Sequence, residues 1–146
     1  MLSRRTLLAA WAAPTPRPNI LILIADNWAY PHASAYGHPV IRTPVFDQLA
    51  HEGVLFTHAF APNPSCSPSR SSLLTGRPTH QLGAAASLYG PLAQSLHVYP
   101  DLLEKAGYLS GYSGKGWAPG SLDGRPHNPC GRLNLASAMP TSAAAI

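Results

Sequence analysis

The chain has 146 residues and a formal net charge of +4, and only 11% of its residues are charged, against about 25% in an average soluble domain. Its hydrophobic content of 45% is enough to form a core, which argues against wholesale disorder. The length fits one ordinary domain and excludes a large multidomain enzyme. The basic residues are scattered, which argues against a nucleic-acid partner, and no apolar run approaches the roughly 18 residues of a membrane span.

Residues 1–16 have the character of an export signal followed by a spacer. Arg4 and Arg5 form a twin-arginine pair, and the short apolar stretch 6–13 ends in small residues. We therefore predict a bacterial protein exported to the periplasm or the cell exterior; an ordinary frayed N-terminus is the alternative. In an oxidising compartment Cys66 and Cys130 could form a disulfide, although their spacing alone does not decide this.

The segment 19–25 is a continuous apolar run rich in β-branched residues. Such a run predicts a strand that is buried on both faces of a parallel sheet. Asp26 and Asn27 follow it directly. Ligands of open α/β sheets gather beyond the carboxyl ends of the strands, so these two side chains are candidates for a binding site.

Helices and strands alternate along the rest of the chain as far as about residue 120. Turn and capping signals predict three helices and two more strands. The helices are expected from Pro44 to just before Gly53, from Ser69 to Thr75 and from Tyr99 to Ala106, and the strands over 54–60 and 109–113. This alternation predicts an α/β architecture with a mainly parallel sheet. Residues 121–146 are low in complexity, and we predict that they form a disordered tail.

The most specific feature is the segment 66–77, with the sequence CSPSRSSLLTGR. It places Cys66 in a loop just before a helix that Pro68 initiates, so backbone N–H groups and the helix dipole would face the cysteine. Arg70, one turn later, adds a fixed positive charge. The arrangement suits a nucleophile that attacks an anionic ester, whereas a buried cysteine in a turn, or a partner of Cys130, explains the local sequence equally well.

The pattern Cys66-x-Pro68-x-Arg70, followed by Leu-Thr-Gly-Arg at 74–77, resembles the signature of the sulfatase family. Other segments resemble this family in the expected order: 17–27 its first strand and metal-binding turn, 43–53 the next helix, and 104–115 the segment that ends in a substrate-binding lysine. The resemblance covers about residues 17–120. It implies the N-terminal portion of a sulfatase catalytic domain, folded as a partial α/β/α sandwich.

The resemblance also implies a role for each matched residue. Cys66 would be converted to formylglycine (3-oxoalanine) by a formylglycine-generating enzyme, and its hydrated aldehyde would supply the oxygen that attacks the sulfate group. Arg70 would hold this group, and Lys115 would neutralise charge that grows on the sulfate. Asp26, Asn27 and the modified Cys66 would bind a divalent cation, usually Ca²⁺. The substrate would be a sulfated small molecule or glycan.

Two positions depart from the family pattern. Asn27 stands where many members have Asp, which removes one charge from the metal site, and Trp117 stands where a His often follows the lysine by two residues. His80, shortly after the signature, is a candidate pocket residue or an ordinary loop histidine. Together with the signature, His80 also resembles the sulfamidase-like branch, which cleaves N-linked sulfate on glucosamine.

Two other functions stay open at this point. One is a phosphodiester or phosphonate hydrolase of the same superfamily, since related enzymes share the Cys-x-Pro-x-Arg site. The other is a non-catalytic fragment that binds anions, because the family completes its metal site with residues from a distant downstream strand. None of the four Asp residues of this sequence is placed to supply that late ligand. We therefore expect the 146-residue chain by itself to lack measurable sulfatase activity.

Overall fold

A computed structural model describes residues 17–135. Residues 1–16, with the predicted export signal, and residues 136–146, in the predicted tail, lie outside the described residues. Residues 17–135 contain three α-helices, two short strands and three 3-10 turns. The helices are α1 (Pro44–Glu52), α2 (Cys66–Thr75) and α3 (Tyr99–Lys105), the strands are β1 (Gly111–Tyr112) and β2 (Leu133–Asn134), and the 3-10 turns are Ser34–Tyr36, Thr79–Gln81 and Gly83–Ala86.

Helix α1 begins at Pro44, as the sequence predicts, and a polar cluster fixes its first turn. The Asp47 carboxylate accepts hydrogen bonds from the Ser34 hydroxyl at 2.5 Å, the Ala35 N–H at 2.8 Å and the Thr43 hydroxyl at 2.9 Å. The hydrogen bond from Ser34 is the main cause that holds the pKa of Asp47 below its usual range, with further contributions from Thr43, Ala35 and Arg42. A carboxylate at this end of a helix also meets the positive end of the helix dipole.

Helix α2 begins at Cys66 and not at Ser69, so the prediction that Cys66 lies in a loop before the helix is wrong. Ser65 is extended and precedes the first turn, while Pro68 lies inside that turn. Proline is tolerated there because the first N–H groups of a helix have no partner within the helix. At the other end, Gly76 takes the left-handed conformation, with φ 65°, and closes the helix.

The core lies between α2, α3 and the loops that follow each of them. Small side chains on the buried side of α2, Ser67, Ser71 and Ser72, let neighbouring segments approach it closely. Among residues 17–135 all buried apolar side chains except Ala33 belong to one cluster, and Trp117 is only 2% exposed within it. This cluster comprises Leu74, Leu82, Ala85, Leu92, Leu96, Val98 and Trp117.

The predicted sheet is present only in part. β1 pairs in parallel with β2, with Gly111 opposite Leu133 and Tyr112 opposite Asn134. The segments 19–25 and 54–60 have no strand partner among the described residues, and apolar side chains of the first remain exposed, Leu21 by 80%. The prediction that 19–25 is buried on both faces is therefore wrong here, since strand burial depends on neighbours that the described residues do not provide.

Residues 121–135, predicted to belong to a disordered tail, take part in the packing. The guanidinium of Arg125 is 6% exposed and donates to the carbonyls of Leu92, Ala93 and Leu96 and to the Asp101 carboxylate of α3. β2 also lies in this segment. Packing therefore continues beyond the boundary that the sequence predicts at residue 120.

Candidate active site

Three segments that are distant in the sequence meet at the carboxylate of Asp26. The Nζ of Lys115 donates to Asp26 Oδ2 at 2.5 Å, and Nη2 of Arg70 lies 3.8 Å from Asp26 Oδ1. The hydrogen bond from Lys115 is the first cause that lowers the pKa of Asp26, and the charges of Lys115 and Arg70 add to it. The sequence-predicted residues Asp26, Arg70 and Lys115 are thus brought together.

Arg70 connects α2 to the loop that carries Lys115. Its Nη1 donates to the backbone carbonyl of Lys115 and, at 2.8 Å, to that of Gly116. Its side chain is only 11% exposed, in contrast to 42% for Lys115 and 42% for Asp26. The guanidinium is therefore largely buried and held by two carbonyls, whereas the Lys115 ammonium pairs with Asp26 in the solvent-accessible part of the cluster.

Cys66 is the first residue of α2, and its half-buried thiol is free. It stands four positions before Arg70, so the two side chains lie on the same face of the helix. The N–H groups of the first helical turn lie beside it and supply positive partial charge. Cys66 and Arg70 thus belong to one face of α2, near its N-terminal end.

Cys130, the other cysteine, is also free, so the disulfide that the sequence left open is not formed in this structure. Burial raises the pKa of the Cys130 thiol, and the nearby charge of Arg70 offsets part of this effect. Cys130 packs against the core cluster. Its surroundings are those of a structural cysteine.

Asn27 and His80 stand apart from the charged cluster. Asn27 adjoins Asp26 in the left-handed conformation, with φ 58°, which asparagine adopts more readily than most residues. His80 is exposed in the 3-10 turn Thr79–Gln81 that follows α2. Among the hydrogen bonds and ion pairs of residues 17–135, none joins His80 to the cluster of Asp26, Arg70 and Lys115. Its role in a substrate pocket stays a prediction.

The oxygens of Asp26 and Asn27 fit part of a calcium site. They are the hard oxygen donors that Ca²⁺ prefers, but Ca²⁺ takes six to eight of them. No group of three or more His, Cys, Asp or Glu residues in the described part of the chain could hold a metal ion. Asp26 and Asn27 by themselves would therefore supply only part of the oxygen ligands that such a site needs.

Sequence reasoning missed three residues that support this arrangement: Ser71, Trp117 and Asn128. For Trp117 it indicates the position of an absent histidine and gives no partner in α2. In the structure its indole Nε1 donates to the Ser71 hydroxyl at 2.8 Å, and its backbone pairs with the Asn128 side chain. The available signal was the pair of serines at 67 and 71, whose spacing places two small polar side chains on one face of α2.

The comparison with protein families decides the broader assignment. A family model described as Sulfatase matches residues 18–134. The chain belongs to the sulfatase family. The match extends beyond residue 120 and includes the segment that contains Arg125 and Asn128. Membership also implies the α/β fold of which the parallel pair β1–β2 is a part.

The similar curated proteins are named sulfatases. N-acetylgalactosamine-6-sulfatase of Rattus norvegicus is 39% identical over 127 residues, which are 79% of this chain and 24% of that protein. Arylsulfatase A of Homo sapiens is 39% identical over 113 residues, or 74% and 22% of the two chains. The chain thus spans about a quarter of the length of these relatives. No solved structure matches.

No helix among residues 17–135 has the length and apolar character needed to cross a membrane.

Proposed function

We propose that this chain carries the nucleophile-bearing side of an active site that hydrolyses sulfate esters. The observation that supports the proposal most strongly is the convergence of Arg70 and Lys115 on Asp26, one helical turn from Cys66. Two cations at one point favour a group with several anionic oxygens, such as the sulfate of an ester, and two different segments supply them. Membership in the sulfatase family agrees with this chemistry.

In the proposed site Arg70 and Lys115 divide the binding of sulfate between them. Arg70 is buried and held by two carbonyls, so its position changes little when substrate binds. Lys115 is half-exposed and releases Asp26 to donate to a sulfate oxygen. Cations fixed near the sulfate stabilise the charge that develops in the transition state.

Cys66 is the proposed site of the nucleophile. Converted to formylglycine and hydrated, residue 66 supplies the attacking oxygen. Arg70, on the same face of α2, donates to that oxygen and holds it toward the sulfate. The N–H groups of the first turn of α2 favour the anionic form of the group at this position. The partner required for conversion is a formylglycine-generating enzyme.

Asp26 and Asn27 are the proposed ligands of a divalent cation, with Ca²⁺ as the best match to their oxygens. The cation, when bound, polarises the sulfate group. Asp26 would hold the cation with the carboxylate that contacts Lys115 in this structure. The remaining ligands have no counterpart among residues 17–135, so we expect the 146-residue chain alone to bind the cation weakly and to be inactive.

The choice of substrate within the family belongs to the proposal as well. The relatives named above include a sugar 6-sulfatase and an arylsulfatase, so a sulfated glycan or an aryl sulfate is the proposed substrate class. The N-sulfate of the sulfamidase-like branch stays a prediction, which His80 and the signature support.

We also propose that the twin-arginine segment of residues 1–16 directs export of the protein. A reporter fused to this segment tests the proposal, because Arg4→Lys and Arg5→Lys should abolish its export.

The direct test is mass spectrometry of the peptide that contains Cys66, after co-expression with a formylglycine-generating enzyme. We expect an aldehyde in place of the thiol, and no modification at Cys130. Paired aryl sulfate and aryl phosphate substrates then measure the reaction class in a chain extended to the length of its relatives. Hydrolysis of the sulfate that Cys66→Ala abolishes supports the proposal; an unmodified thiol, or a preference for the phosphate, contradicts it.

A further inference from the structure

We infer that Trp117 is a positioning residue of this site: it holds loop 114–117 against α2 so that Lys115 and Arg70 face the same point, and Asn128 holds Trp117. The functional meaning of this inference rests on the proposed sulfate site. The contacts themselves do not depend on it.

The indole of Trp117 is fixed by a buried hydrogen bond with a defined direction. Nε1 of Trp117 donates to Oγ of Ser71 at 2.8 Å, and Oγ of Ser71 donates to the carbonyl of Ser67 at 2.8 Å. The only hydrogen of the serine hydroxyl is thus used, and its lone pair faces the indole. A buried indole N–H that lost this acceptor would stay without a partner, so other placements of the ring are unfavourable.

The backbone of Trp117 is held at the same time by Asn128. The N–H of Trp117 donates to Asn128 Oδ1 at 3.0 Å, and Asn128 Nδ2 donates to the carbonyl of Trp117 at 3.0 Å. The N–H of Cys130 also donates to Oδ1 and fixes the side chain of Asn128. The side-chain amide of Asn128 therefore pairs with both the backbone N–H and the backbone carbonyl of Trp117.

In the sequence, each cationic or nucleophilic residue of the proposed site lies within two positions of a member of this network. Ser67 follows Cys66, Ser71 follows Arg70, and Trp117 stands two positions after Lys115.

The contacts of the site residues themselves are more exposed than the hydrogen bond between Trp117 and Ser71. The Lys115–Asp26 pair is open to water, and an exposed ion pair of this kind fixes geometry poorly. The register between the loop and α2 is therefore set by the buried bond of Trp117. With the loop in this position, Arg70 donates to the carbonyls of Lys115 and Gly116.

The reactivity of Lys115 toward an amine reagent reports on this positioning without any need for catalysis. The sequence contains two lysines, Lys105 and Lys115. Lys105 is exposed and is the internal reference. An ammonium bound to a carboxylate reacts more slowly than a free surface amine, so the ratio of Lys115 to Lys105 labelling, measured by mass spectrometry, is low in the native chain.

Three substitutions loosen the network at different points: Ser71→Ala, Trp117→Phe and Asn128→Ala. Ser69→Ala is the matched control, because it makes the same change on α2 without a contact to Trp117. Asp47→Asn is the stability control, because it weakens the chain in the separate cluster of Ser34, Thr43 and Asp47.

We expect the labelling ratio to rise about threefold in the network variants, the size of effect that an exposed ion pair carries, and to stay unchanged in both controls. An unchanged ratio in those network variants that remain folded by circular dichroism overturns the inference. An equal rise in Asp47→Asn also overturns it, since the effect would then follow from general loosening. Ser71→Ala, the smallest change, decides the matter if the other variants do not fold.

Titration with inorganic sulfate separates this inference from the proposed function. We expect the network variants to bind sulfate more weakly than the native chain, and Ser69→Ala to bind it equally well. If the native chain binds no sulfate, the proposed function fails, while the labelling ratio still decides whether Trp117 positions Lys115. If sulfate binds equally in all variants, the positioning has no functional consequence and the inference is wrong in that respect.

Discussion

The Nζ of Lys115 lies 2.5 Å from Oδ2 of Asp26, a residue 89 positions earlier in the chain. This pair closes a cluster that Arg70 enters from a third segment. Asp26 is also a proposed metal ligand, so a cation and Lys115 would compete for its carboxylate. The same exchange would release Lys115 toward a sulfate oxygen.

Calcium should therefore raise the reactivity of Lys115. We expect the ratio of Lys115 to Lys105 labelling to increase as Ca²⁺ reaches about 10 mM, a range suited to a weak site with few ligands. In Asp26→Asn the labelling ratio should already be high without calcium and should not change when calcium is added. A ratio in the native chain that does not respond to calcium would contradict the assignment of Asp26 as a ligand.

Asn27→Asp should strengthen this calcium effect. The substitution restores the carboxylate that many family members have at this position, and aspartate tolerates the left-handed conformation that Asn27 adopts. We expect half of the labelling response at about tenfold lower calcium concentration, because ligand charge is a main determinant of affinity. Gln48→Glu, on the exposed side of α1, is a control for added charge elsewhere in the chain and should leave the midpoint unchanged.

Acid should weaken the start of α1 through Asp47. The hydrogen bonds from Ser34, Thr43 and Ala35 lower its pKa in the folded chain from the ordinary value of 3.8. The stabilisation is therefore fully present above the unfolded value and is lost as the pH falls through the lower, folded value. Thermal melting at pH 6 and at pH 3 should show a loss that is smaller in Asp47→Asn, and an equal loss in both chains would contradict this role.

Arg125→Ala should destabilise the chain by about 3 kcal/mol, because a nearly buried guanidinium satisfies three carbonyls and Asp101. Arg125→Lys keeps the charge but lacks the fork of donors, so it should recover only part of this loss. Chemical unfolding measures both. If Arg125→Lys is as stable as the native chain, charge and not hydrogen-bond geometry holds this segment.

Gly116→Ala should displace the loop that carries Lys115. A methyl group at this position would lie 2.7 Å from the Tyr112 ring and 3.0 Å from Asn128 Nδ2, closer than normal contact allows. Overpacking of this kind costs about 1–3 kcal/mol, and we expect Lys115 labelling to rise with it. Gly37→Ala, which meets no atom within 4 Å, should lower stability through backbone strain alone and leave the labelling ratio unchanged.

Local signals in the sequence predicted the helices better than the sheet. Thr43 and Pro44 gave the start of α1, and the Pro100 signal gave α3 to within one residue of its observed end. The proline signal predicts the start of α2 three residues too late, at Ser69 instead of Cys66, because the proline ring fits inside the first turn as well as just before it. The apolar run 19–25 predicts a buried strand, but the structure has no strand over these residues and Leu21 is 80% exposed, because a buried strand needs partner strands that are distant in the sequence.

The candidate site was predictable only where the family resemblance identified single residues. Nothing local to Asp26, Arg70 or Lys115 indicates that they meet, since the segments between them are long. The role of Trp117 was missed for the same reason: its partner Ser71 lies 46 positions earlier. Asn128 lies in a segment whose proline and glycine content predicts disorder, although its side chain hydrogen-bonds to the backbone of Trp117 in the loop that carries Lys115.

A titration of the isotope-labelled chain with inorganic sulfate, followed by NMR, tests directly whether Arg70 and Lys115 bind sulfate. We expect chemical-shift changes at the first turn of α2, at Arg70 and at the loop 114–117, with binding lost in Arg70→Ala and in Lys115→Ala but kept in Arg77→Ala and Lys105→Ala. Shift changes that are absent, or that persist in Arg70→Ala and Lys115→Ala, would contradict the account.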